Sequence, residues 1–280
     1  MDYRVTVVVD NCIPLGNDAP LLGELGLALL VETAGKRFLL DTGQSSAVTH
    51  NLQLLGASPE QLDAIILSHG HFDHAGGIRH VLQNAYRRIP IYLHEEAFAA
   101  RHSVSHGVER FIGIPYRREQ IEGWGGDLRF IHDPLQLLPD LWLSGSVPRR
   151  TSFETGDTHL TTTGPDGNMI QDAVDDDMAL FVRLGDDLIV ISGCTHSGLV
   201  NMVRHGLAVT GAQRLRGWIG GTHLGPASAD QQRQTFDELA KLAPEFIATS
   251  HCTGFAMMAC LQERFGARFT PAFVGTTIEF

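Results

Sequence analysis

The segment Ile65-Ile66-Leu67-Ser68-His69-Gly70-His71-Phe72-Asp73-His74-Ala75-Gly76-Gly77 constrains this chain more than any other. Three histidines and an aspartate fall within six residues, directly after a short apolar run. Such a run reads as a buried strand, and a loop at its end lets side chains converge on one point. Imidazole nitrogen and carboxylate oxygen are ligands for zinc, and also for iron or manganese. In an extended stretch His69, His71 and Asp73 point to one side. His74 points elsewhere unless the chain turns, and Gly76-Gly77 permits tight turning next to it. Two adjacent ions use four such ligands more naturally than one, with His69 and His71 on the first and Asp73 and His74 on the second.

The flanking sequence predicts strands over 5–9, 25–32 and 37–41, with a hairpin turn at Ala34-Gly35-Lys36. A helix is expected over 46–55 and a helix start at Ser58-Pro59, before the 64–67 strand. A helix over about 76–84 and a strand over 89–93 follow. The stretch from about 98 to 160 is less regular and reads as further strands with long loops, suited to covering a substrate site. Beyond it come strands over 178–184 and 188–192, a helix over 198–209, a strand over 215–219, a helix over 229–242, a strand over 245–250 and a helix over 255–265. Strands first and then alternating with helices, in each half, predict an αββα sandwich of two mixed sheets in a single domain over 1–280.

The chain of 280 residues is 43% hydrophobic and 19% charged, which supports a large core and argues against disorder. A formal net charge of -11 argues against general attraction to nucleic acid or an anionic membrane. No segment reaches the roughly 20 apolar residues of a membrane span. The start lacks the basic region of a secretory signal, and the four cysteines show no paired spacing, so a cytoplasmic protein without a disulfide framework is expected. The oligomeric state has no signature in the sequence.

Asp41, the 69–74 cluster, Cys194-Thr195-His196, His223 and His251 all sit just past expected strand ends. His251 and then His196 are the strongest distant ligand candidates. Cys194 is an alternative, because thiolate binds zinc well. Two metals in a cleft activate a water as hydroxide, for attack on an ester, lactone, thioester, amide or phosphate. Asp73 would orient that nucleophile and accept its proton. His223 is assigned to the substrate as a proton donor, since the six ligands already supply three per ion. Arg149 and Arg150 are expected to clamp a phosphate or carboxylate.

His69-x-His71-x-Asp73-His74 after an apolar strand resembles the metallo-β-lactamase superfamily. Asp10-Asn11-Cys12, the 192–198 and 220–224 segments and Ser250-His251-Cys252-Thr253-Gly254 resemble one branch of it. That branch holds archaeal dihydropterin–ribofuranosylaminobenzene phosphate synthases and many bacterial proteins. The resemblance implies the αββα fold and one or two zinc ions on His69, His71, Asp73, His74 and His251. Asn11 and Thr253, inside the matching segments, are implied substrate contacts. Cys194 stands where most members place a bridging aspartate, and no Gly-His motif precedes it at the usual place, so His196 is the implied substitute for the missing histidine ligand, with Asp176 and Asp177 as weaker alternatives. The expected activity is metal-dependent hydrolysis of a small ester or phosphate. A diphosphate-displacing transfer on a pterin-like substrate and a non-catalytic metabolite sensor are the alternatives.

Overall fold

The computed structural model describes residues 2–16, 18–164 and 166–280. The chain groups into two compact units, Met1–Ala99 with Ile112–Phe130 and Ala272–Phe280, and Ala100–Phe111 with Ile131–Pro271.

The first unit is built on a seven-stranded mixed sheet. Its spatial order is Thr277–Glu279, Tyr3–Val9, Ala28–Thr33, Lys36–Leu40, Ala64–Ile66, Ile89–Leu93 and Gly126–Phe130. The first four strands pair antiparallel and the last four parallel. Ala34 and Gly35, both at positive φ, make the two-residue turn of the hairpin that pairs Thr33 with Lys36. Ile65, Leu67, Ile78, Val81 and Ile91 belong to one buried core with Val48 and Leu52 of the helix Ala47–Leu54. Each such side chain contributes about 1.5–3 kcal/mol by leaving water. Because Lys36–Leu40 and Ala64–Ile66 run parallel, Asp41 and Ser68-His69 emerge at the same sheet edge.

Local structure departs from the sequence reading at three places near the cluster. The chain leaves the extended conformation at Phe72 and makes a short helix, Phe72–Ala75, so Asp73 does not alternate with His69 and His71. The expected 76–84 helix begins at Ile78, because Gly76 and Gly77 close the preceding turn. The second strand begins at Ala28 and not at residue 25. Gly26 has a positive φ, its N–H donates to Asn11 Oδ1, and Leu27 N–H donates to the Asp73 carbonyl, so this segment braces the cluster.

The second unit holds a seven-stranded sheet ordered Phe269–Pro271, Phe246–Thr249, Arg214–Gly220, Asp187–Ser192, Ala179–Leu184, Leu141–Leu143 and Leu135–Leu138. Phe269–Pro271 through Asp187–Ser192 are parallel, with the helices Leu199–Thr210, Ala229–Leu242 and Phe255–Phe265 between them in sequence. Parallel strands finish at one edge, which gathers Cys194, His223, His251 and Cys252. A four-stranded antiparallel sheet, Met169–Gln171, Leu160–Thr163, Arg101–Ser105 and Val108–Phe111, draws two of its strands from the 98–160 stretch, where strands with long loops are expected, and two from its end and just beyond. Among the described residues no helix is long and apolar enough to cross a membrane.

Candidate metal centre and proton donor

In the first unit one buried carboxylate orients two of the candidate ligand imidazoles. Asp41 Oδ1 accepts from Ser68 N–H at 2.7 Å, and Oδ2 accepts from Ser68 Oγ–H at 2.7 Å. His74 Nδ1 lies 2.7 Å from the same Oδ2 and donates to it. Ser68 has spent its only proton on Asp41, so at 2.8 Å it accepts from His69 Nδ1. The network therefore assigns Nδ1–H tautomers to His69 and His74 and puts both lone pairs on Nε2. His69 Nε2 is 2.9 Å from His71 Nδ1, while His74 Nε2 is 3.8 Å from Asp73 Oδ2. Two nitrogen ligands on a tetrahedral zinc at about 2.0–2.1 Å are roughly 3.3 Å apart. The His69–His71 spacing fits that edge to within a few tenths of an ångström. All three imidazoles are buried.

The backbone makes this arrangement hard to lose. Thr42 donates to the His74 carbonyl from both N–H, at 2.7 Å, and Oγ1, at 2.9 Å. A Cβ on Gly77 would lie 2.0 Å from the Thr42 carbonyl oxygen, so only glycine lets the two segments meet.

In the second unit the donors come from three strand ends. Thr195, His223 and His251 all have positive φ, as does Asp41 in the first unit. Such strain in non-glycine residues, most costly for the β-branched Thr195, clusters at functional sites. The Sγ atoms of Cys194 and Cys252 and a ring nitrogen of His223 lie within 4.8 Å of one another. The His196 and His223 rings are 4.1 Å apart, tilted by 46°. His223 Nε2 is 3.4 Å from Asp157 Oδ2. Burial pulls the His223 pKa down, but Asp157 and the Cys252 sulfur outweigh it and raise it from 6.5 to about 9. Burial likewise pushes Asp157 up, but bonds from His223 and His159 win and lower it to about 2. For Cys252 burial raises the pKa, yet Cys194, His223 and His251 together hold it well below the ordinary thiol range. His223, Asp157, His196 and Thr195 line one small cleft with Ala227 and Gln231.

The remaining expected residues take other places. Arg149 donates from Nη1 to the His196 carbonyl at 2.8 Å and from Nη2 to the Ala173 carbonyl, so its fork is engaged with backbone. Arg150 lines a shallow cleft with Pro148, Asn201, Arg204 and His205. Thr253 Oγ1 accepts from Thr222 Oγ1 at 3.0 Å; Thr222 directly precedes His223, and Thr253 lies two residues after His251. Asn11 holds Gly26 as described above. Asp176 pairs with Arg101 Nη1 at 2.6 Å, and Asp177 accepts from Ser197 N–H and Oγ–H. Both weaker ligand alternatives thus hold scaffold. Sequence reasoning missed Asp157 and Glu154. Glu154 is buried and accepts from Val200 N–H, Asn201 N–H and Thr151 Oγ1, capping the helix Leu199–Thr210. Neither residue sits in a periodic pattern or a ligand-rich motif.

Residues 22–251 match the family model of the metallo-beta-lactamase superfamily. The chain is 32% identical over 277 residues to the 7,8-dihydropterin-6-methyl-4-(beta-D-ribofuranosyl)-aminobenzene-5'-phosphate synthase of Methanocaldococcus jannaschii, covering 95% of this chain and 93% of that protein. Among solved structures it resembles a metal-dependent hydrolase of the beta-lactamase superfamily with a TM-score of 0.83 and 24% identity, over 99% of each chain. A diphosphatase of the PhnP family matches with a TM-score of 0.54 and 16% identity, over 100% of this chain and 98% of that one. These two likenesses establish the fold, which is of the αββα class expected from the element order. The chain belongs to the metallo-β-lactamase superfamily.

Proposed function

We propose that this chain is a metal-dependent hydrolase of a small anionic ester or phosphate. The observation that carries the reading is the pair His69 Nε2 and His71 Nδ1, 2.9 Å apart, with the Nδ1 of His69 and of His74 tied down through Ser68 and Asp41. Histidine ligands are normally held by a hydrogen bond at their other nitrogen, and His69 and His74 follow that pattern. The proposed ligands are His69, His71 and His196 for one ion and Asp73, His74 and His251 for the other, with Cys194 in the place of the family's bridging aspartate. Zinc suits this mixture of imidazole, carboxylate and thiolate. Bound there, zinc supplies a Lewis acid and makes water acidic enough to act as a nucleophile at neutral pH.

The chain's own residues do the rest. Asp73 orients the attacking water and takes its proton. His223 is charged at neutral pH and gives a proton to the leaving oxygen. Its Nδ1 is buried, so the proton on Nε2, held loosely by Asp157 at 3.4 Å, is the one presented to substrate. Arg149 fixes the His196 carbonyl and with it the direction of that ring.

A second reading has support in the archaeal synthase, 32% identical over nearly the whole chain. In it the same acid protonates a departing diphosphate while a carbon–nitrogen bond forms on a pterin-like substrate. Elemental analysis of purified protein, with turnover of phosphodiester, lactone and thioester substrates and of a pterin-methyl diphosphate with an arylamine, separates the two. Hydrolysis of the first set supports the main reading. Arylamine-dependent diphosphate release, with no hydrolysis, replaces it with the second. Metal content and activity that survive replacement of both Cys194 and His196 by Ala overturn the ligand assignment.

A further inference from the structure

We propose that Cys194 and Cys252 form a reversible disulfide that withdraws Cys194 from the metal centre under oxidising conditions. The withdrawal rests on the reading of Cys194 as a ligand; the disulfide does not. The two residues are 58 positions apart and come from different strand ends, yet their sulfurs lie within 4.8 Å of each other. Both are thiols in this structure. Rotation about the side-chain bonds has to bring the sulfurs to the ~2.05 Å of a disulfide.

The surroundings are built for this approach. A Cβ on Gly221 would lie 2.6 Å from Cys252 Sγ and 3.3 Å from the Cys194 Cα, so the absent side chain is what admits both cysteines. Gly221 is itself fixed, its N–H donating to the Gly193 carbonyl at 2.8 Å. His223 N–H donates to Cys252 Sγ at 3.3 Å and marks the sulfur's position. The two other cysteines, Cys12 and Cys260, are exposed.

Cys194 is 3% exposed, and Cys252 is the less buried residue of the two. The proposed order has a low-molecular-weight disulfide, RSSR, meet Cys252 first. The Cys252 sulfur attacks, the RS–SR bond breaks, and one RSH leaves with the proton lost by Cys252. The Cys194 sulfur then attacks Cys252 in the mixed disulfide and expels the second RSH with its own proton. Two thiols lose two protons and two electrons, and RSSR becomes two RSH. The second step is intramolecular, so the burial of Cys194 does not impede it.

The test treats zinc-loaded full-length protein with excess oxidised glutathione. Peptide mapping reads the linkage and elemental analysis reads the zinc. The expected result is a Cys194–Cys252 linked peptide, lower zinc content, and recovery of both thiols with dithiothreitol. In C252S, Cys194 should stay alkylatable after the same treatment. No linked peptide in the wild type, a stable glutathione adduct on Cys252, or equal loss of the Cys194 thiol in C252S overturns the disulfide. A linked peptide with zinc content unchanged overturns the withdrawal. Mapping needs no substrate, so failure of the proposed hydrolase activity leaves this result readable.

Discussion

His74 Nδ1 donates to Asp41 Oδ2 across 2.7 Å, with both side chains fully buried. The same carboxylate reaches His69 through Ser68, so one residue orients two proposed ligands. Replacing Asp41 by Asn keeps the shape but removes the charge and one acceptor. Zinc affinity should fall about 10–100-fold, the usual cost of losing an outer partner of a histidine ligand. Competition with a chromophoric chelator measures it, and an unchanged affinity would show that Asp41 only holds the loop.

Substituting His223 tests the proposed separation of metal binding from proton transfer. His223→Ala should leave zinc content nearly unchanged while turnover falls by roughly 10²–10⁴, as for loss of a general acid. Loss of one equivalent of zinc would make His223 a ligand instead.

The alkaline side of the pH profile follows from the same pair. The folded pKa of His223, about 9, is above the unfolded value of 6.5. The charged ring therefore stabilises the fold in full below about pH 6.5, and this contribution is lost as pH rises through about 9. As the proposed acid it must be protonated, so turnover should decline above about pH 9. Asp157→Asn removes the group that holds the proton on and should move that decline toward neutral pH. A profile whose alkaline limb is the same in both proteins refutes the dyad.

Gly77 carries a steric prediction. Gly77→Ala places a methyl group 2.0 Å from the Thr42 carbonyl oxygen, and backbone must shift to admit it. A loss of about 1–3 kcal/mol is expected in urea unfolding, the range for overpacking. Zinc content should fall with it, because Thr42 is what grips the His74 carbonyl. Wild-type stability in this variant would mean that the 42 and 77 segments yield easily.

Glu154 anchors a helix without touching the proposed ligands. Burial pushes its pKa up despite the bonds it accepts from Val200, Asn201 and Thr151. Glu154→Ala leaves two helix N–H groups without their acceptor and should cost about 2–3 kcal/mol. Glu154→Gln, which keeps one acceptor oxygen, should cost less. The raised pKa means that the folded state holds the Glu154 proton more tightly than the unfolded chain. The wild type should therefore lose some of its stability relative to Glu154→Gln as pH rises through that pKa. Calorimetry of the three proteins at two pH values checks both statements.

The sequence by itself determined most of the order of strands and helices over 3–93 and 179–265, the hairpin at Ala34-Gly35, and the ligand-type residues at strand ends. Helices 229–242 and 255–265 were legible to the residue, since apolar spacing, Ser228 and Gly254 act within a few positions. Such signals are local: they set backbone dihedrals and which face is apolar. The turn at Phe72 was not legible, because a donor-rich loop has no apolar period to mark where extension ends. Tertiary structure decided which loops meet. Asp157 finds His223 across 66 residues, Asp41 finds His74 across 33, and Glu154 finds the helix at Val200 across 46. Those meetings depend on parallel strands delivering distant segments to one sheet edge. Strand order and register carry that information, and both arise from packing of whole layers rather than from any short stretch of the chain.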